Sequence, residues 1–124
     1  MICLDTNYLI NGLSADTPEE ELLIQWHTEG EVLCTPAICW YEFLSGPVTD
    51  AQTKTIKAFL RGGILPFGET EAMKSAELFN ATHRLRRLRI DTMIAATAIA
   101  AKARLASNNL ADFEPFVPFG LELL

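Results

Sequence analysis

Short β-like runs alternate with helical ones from end to end of this chain, and a few residues join each to the next. That alternation constrains the fold more than any other feature. Parallel strands need a crossover, usually a helix, whereas antiparallel neighbours need only a tight turn. The sequence reads as strand Ile2–Asp5, helix Pro18–Thr28 with Thr17 as N-cap, and strand Glu31–Cys34. Thr35 and Pro36 carry the same start signal for a helix to Ser45, stopped by Gly46 and Pro47. Helix Asp50–Arg61 ends at Gly62 and Gly63, and Ile64–Pro66 is a short strand. Thr70 caps a long helix with Ala72, Ala76, Phe79 and His83 at helical spacing, and Asp91–Arg104 forms another. Leu105–Ser107 is a strand and Gly120–Leu124 a candidate last one. The order implies a single α/β domain over residues 1–124, with helices on both faces of a mostly parallel sheet of four to five strands.

In such sheets the chemistry gathers beyond the carboxyl ends of the strands. Asp5 stands there, an acid inside the otherwise apolar opening "MICLDTNYLI". An unpaired buried carboxylate costs several kcal/mol, so its position requires a partner. Three more acids share the oddity. Glu42 is the only charged residue in "LCTPAICWYEFLSGPV". Asp91 opens "IDTMIAATAIAAKA", where the next charge is Lys102. Asp112 lies between Leu110 and Phe113, after the fourth strand. Taken singly, Asp91 reads as a helix N-cap, Asp112 as a turn residue and Glu42 as part of a solvated face. Four such acids, each near an element end, point instead to a shared pocket.

Carboxylates can share a pocket when a hard divalent cation sits among them, and Mg²⁺ or Mn²⁺ prefers oxygen ligands. Such ions generate a hydroxide nucleophile and stabilise charge on a phosphodiester. No Ser-His-Asp arrangement competes, because His27 and His83 both read as helix residues. Cys3, Cys34 and Cys39 lack CxxC spacing and read as buried reduced thiols of a cytoplasmic protein. The net charge of −6 argues against a generic DNA coat or an anionic-membrane binder. The longest nearly apolar stretch, Met93 to Ala101, is too short to span a bilayer, and the start lacks the basic region of a signal peptide.

At these residues the chain resembles the PIN-domain ribonucleases, and within them the VapC-type toxins of toxin–antitoxin pairs. The resemblance rests on "LDTNYLI", "YEFLSG", "RIDTMIAATAIA" and "LASNNLADFEPF", in that order over nearly the whole length. It implies a three-layer α/β/α fold and a metal site of Asp5, Glu42, Asp91 and Asp112 that is also the catalytic centre. It also implies Mg²⁺- or Mn²⁺-dependent cleavage of RNA, inhibition by a cognate antitoxin, and a homodimer. Asn109 matches a recurrent asparagine, and Ser107 a position commonly held by threonine. Asn108 departs from the arginine that many members carry.

"HRLRRLR" places Arg84, Arg86, Arg87 and Arg89 just before Asp91, four of the ten basic residues. All four are therefore expected beside the acids, where RNA phosphates need positive charge, with Arg86, Arg87 and Arg89 as the candidate contacts. A solvated helix end is the plainer reading. Met73, Met93 and most phenylalanines read as core, and Trp40 and Tyr41 as candidates for a partner contact. Of the rival readings, a receiver domain would need a third-strand Asp that "ILPFG" lacks and a strand lysine where Lys102 is helical. An aspartyl-nucleophile phosphatase would need Asp in place of Asn7. A silent PIN-like protein-binding module is the remaining alternative, although such members usually lose acids and this chain keeps four.

Overall fold

The computed structural model describes residues 1–124. Its elements in chain order are β1 (Ile2–Leu4), α1 (Thr6–Asn11), α2 (Pro18–Thr28), β2 (Leu33–Pro36), α3 (Ala37–Leu44) and α4 (Asp50–Phe59). There follow β3 (Gly63–Leu65), α5 (Glu69–Ala81), a 3₁₀ turn at Arg86–Leu88, α6 (Arg89–Ala100) and β4 (Arg104–Ala106). The chain closes with α7 (Leu110–Phe113), a 3₁₀ segment at Glu114–Phe119 and β5 (Glu122–Leu123). All five strands are parallel, in the order β3-β2-β1-β4-β5, so the expected α/β architecture is present.

The central place of β1 explains its composition. Ile2, Cys3 and Leu4 are all fully buried. A strand covered on both faces reads as an unbroken apolar run rather than an alternation. Cys3 lies opposite Cys34 on β2 and Leu105 on β4, and all three cysteines are free and buried. Phe43, Phe113 and Phe116 fill the space between sheet and helices. No helix is long and apolar enough to cross a membrane.

Several boundaries differ from the sequence reading. Thr35 and Pro36 belong to β2 rather than opening a helix, and the Thr35 hydroxyl donates to the Leu4 carbonyl at 2.8 Å. An inter-strand bond thus takes the oxygen that capping would have used. The next helix, α5, starts at Glu69 behind Gly68, not behind a Thr70 cap, and stops at Ala81. His83 therefore lies outside it, and with Arg84 adopts left-handed backbone at φ 65° and 54°. α6 begins two residues before Asp91. Met73 is 68% exposed instead of lying in the core. The short helix α1 was not read from the sequence.

Candidate functional site

The strand order makes a crevice at a definite place. From β1 the chain crosses to β2 and β3 on one side of the sheet, and reaches β4 on the other side only later. The segments leaving the carboxyl ends of β1 and β4 diverge there, and ligands of open α/β sheets bind at such a point. Asp5 immediately follows β1, Ser107 immediately follows β4, and α3 with Glu42 follows β2. The amino-terminal turn of α6 brings Asp91.

Asp5 is 5% exposed and heavily tethered. It is the N-cap of α1, with Oδ1 accepting the Thr6 N–H at 2.8 Å. The Ser107 hydroxyl donates to Oδ2 at 2.7 Å, and the Cys39 thiol approaches Oδ1 at 3.6 Å. Donors from three elements thus offset the burial of this carboxylate. The same network continues outward. Thr6 Oγ1 donates to Glu42 Oε1 at 2.9 Å, and the Asn109 N–H donates to Ser107 Oγ at 3.0 Å.

Asp91 is placed differently, since none of these bonds ends on it. Its carboxyl pKa is pushed up to about 6, first by burial and then by the charges of Asp112, Asp5 and Glu42. Arg87 pulls the other way. A first-turn carboxylate gains roughly 0.3–1 kcal/mol from the helix macrodipole. Here burial and like charge outweigh that gain. Burial also pushes the Cys39 thiol well above the usual thiol range, with the Asp5 charge second.

Asp5, Glu42 and Asp91 line one cavity of about 240 Å³, with Thr6, Asn7 and Asn109 and apolar walls at Ile90 and Ile94. Asp112 stays at the rim, where Arg87 Nη1 lies 3.3 Å from its Oδ1. A cavity of about 410 Å³ near Gly12, Leu23 and Phe59 is larger, but Glu20 is its only charged residue. Chemistry rather than size therefore picks out the acidic cleft. Oxygen donors alone suit a hard cation. No three acids, histidines or cysteines form a closed metal cage. Mg²⁺ does not need one, because it keeps several waters and takes one or two carboxylates. The residues present fit such an ion.

The arginine cluster divides. Arg87 reaches the cleft through Asp112, and Arg86 is exposed beside it. Arg89, expected at the acids, instead lies over the Phe79 ring with Arg84, because it starts α6 on the side that faces α5, away from Asp91. Asn108 Nδ2 donates to Glu19 Oε1 at 2.8 Å, which is the main reason the Glu19 carboxyl is held low. Neither histidine lines the cleft. The sequence reading missed Thr6, Cys39 and Asn7. Recognising Asp5 as an N-cap would have pointed to Thr6; an apolar-flanked cysteine offers no signal of its own.

The PIN domain family model matches residues 2–114. No curated protein matches the chain in sequence. Among solved structures, it is similar to a toxin–antitoxin complex from Klebsiella pneumoniae, at 24% identity over 92% of this chain and 91% of that one, TM-score 0.72. FitAcB from Neisseria gonorrhoeae is similar at 22% identity over 100% and 96% of the two chains, TM-score 0.70. DNA-bound VapBC from Salmonella typhimurium is similar at 18% identity over 99% and 96%, TM-score 0.73. At these identities the likeness concerns the fold.

Proposed function

This chain belongs to the PIN domain family, and on that premise we propose that its acidic cleft is a Mg²⁺- or Mn²⁺-dependent endoribonuclease site of a VapC-type toxin. One observation carries the reading: an oxygen-lined cleft at the sheet's switch point in which burial, and then three other carboxylates, push the Asp91 pKa up to about 6. Such an arrangement is unfavourable until positive charge enters it. Asp5, Glu42 and Asp91 hold the ion, with Asp112 at the rim. The bound ion supplies an activated water and charge stabilisation for phosphodiester hydrolysis.

The chain's own residues do the positioning. Ser107, Cys39 and the Thr6 N–H fix both oxygens of Asp5, and the Thr6 hydroxyl fixes Glu42. Arg87, with Arg86 beside it, meets RNA phosphates at the rim, while Asn109 and Ser107 border the scissile strand. The similar structures of a toxin–antitoxin complex and of VapBC support an inhibitory antitoxin as partner of this chain. Tyr41 and Met73, 71% and 68% exposed, offer surface that an antitoxin or the second copy of a homodimer would cover. The test is cleavage of total RNA with Mg²⁺, with chelator, and by Asp91→Asn. Cleavage by Asp91→Asn at the wild-type rate would remove the cleft from the chemistry.

A further inference from the structure

On the other side of the first turn of α6 lies a second cavity of about 410 Å³, between α5 and α6. Ser75 and Thr92 share a buried hydrogen bond at 2.9 Å there, and Phe79 sits against Arg89, so the two helices run as an antiparallel pair. The cavity contains no acid in a chain of net charge −6. Its only charged groups are two guanidiniums, both held over the Phe79 ring. Arg84 lies 5.1 Å and Arg89 5.4 Å from the ring centroid. Neither is in an ion pair. Stacking on a ring face leaves the guanidinium edge free to donate, and that edge matches phosphate oxygens.

The backbone is bent to build this arrangement. His83 and Arg84 are consecutive left-handed residues, a conformation that side chains with a Cβ rarely adopt. The bend returns the Arg84 N–H to the Phe79 carbonyl at 3.0 Å and its guanidinium to the Asn80 side chain. Glycine would make this turn more easily; arginine gains a cation fixed over an aromatic ring. A cation held in advance loses less freedom when it binds.

We propose that Phe79, Arg84 and Arg89 form a phosphate subsite for single-stranded RNA, separate from the acidic cleft and gripping the strand beyond the cut. The inference rests on the ribonuclease reading. Arg89, Thr92 and Met93 face this cavity, while Ile90, Asp91 and Ile94 face the cleft. The two sites are therefore separated by the width of a helix, about 10–12 Å with its side chains. A strand passing over the exposed turn at Arg86 and Arg87 links them.

The experiment uses the full chain carrying Asp91→Asn, so that bound RNA survives, and labelled oligouridylates, one a trimer and one a dodecamer. Adding Arg84→Gln with Arg89→Gln should weaken dodecamer binding about tenfold and flatten its salt dependence by about 1.4, two phosphate contacts' worth. Trimer binding should change far less. Phe79→Leu should give a partial loss on the dodecamer, because the guanidiniums lose the ring that holds them. Unaltered dodecamer affinity and salt slope in the double variant overturn the subsite while leaving cleavage by the otherwise wild-type chain in place. A double variant that binds RNA normally but self-associates less would make the cavity a protein contact, which also overturns it. If the chain without Asp91→Asn cleaves no RNA and binds neither probe, the ribonuclease reading falls and the subsite with it.

Discussion

Asp5 and Asp91 face the same cavity under opposite conditions. Asp5 is almost fully buried, yet donors from α1, α3 and the segment after β4 satisfy it. Asp91 is less buried but receives none of those bonds, so its burial first, and then the repulsion of three neighbouring acids, push its pKa up. What separates the two is the donors: burial is answered by hydrogen bonds at Asp5 and unanswered at Asp91. One acid is finished by the fold, and the other is left for something the fold does not contain.

The largest expected effect of this difference is on the chemistry. Asp91→Asn and Asp5→Asn should each lower RNA cleavage by roughly a hundredfold or more, the scale of removing one main electrostatic contact. Rates measured under metal saturation check this, and a loss confined to Asp5 would break the comparison. Next comes metal binding. At about a hundred times its dissociation constant, Mg²⁺ or Mn²⁺ should stabilise the wild type by about 2.7 kcal/mol, and Asp91→Asn much less. Thermal melts with metal and with chelator give both values.

Ser107→Ala should cost about 1–3 kcal/mol in the absence of metal, because it strips a donor from a buried carboxylate. Denaturant midpoints measure it, and a cost near zero would show that the tether of Asp5 is not what holds it. The pH dependence of Asp91 has a definite sign. Its folded pKa, about 6, lies above the ordinary carboxyl value of 3.8, so its ionisation opposes folding. That penalty is absent below the unfolded value and grows as pH rises through the folded one. In chelator, the stability difference between Asp91→Asn and wild type should therefore increase from pH 4 to pH 7. A flat difference over this window would assign Asp91 an ordinary pKa. The smallest effect on stability belongs to Asp112→Asn, which removes a half-exposed pairing with Arg87 but also relieves part of the repulsion on Asp91. Less than about 1 kcal/mol of stability should be lost, checked by the same melts.

Much of this was legible beforehand for physical reasons. A strand buried on both faces must be apolar, so Asp5 at its end stood out. The long uncharged run after Asp91 marked that acid in the same way, and alternating elements with short joins implied the parallel sheet. Less legible was whatever depends on which way a side chain turns. Arg87 and Arg89 are two residues apart, yet the 3₁₀ turn sends one towards Asp112 and the start of α6 sends the other to Phe79. Thr35 carried a helix-start signal, but its hydroxyl had a better acceptor in Leu4, a neighbour distant in sequence. α1 has six residues, less than two turns, and is held by its Asp5 cap, too short for an apolar period to declare itself.

The bond between Ser107 and Asp5 joins residues 102 positions apart, and β1 pairs with β4 across the same interval. Asp5 thus leaves the ribosome 102 residues ahead of Ser107, which follows the strand that completes its side of the sheet. Until β4 emerges, the opening aspartate lacks its serine donor and the crevice lacks one wall. Closing so long a loop is also the slow kind of step in folding. The crevice is therefore a late product of the chain's own synthesis, complete only once β4 has paired with β1.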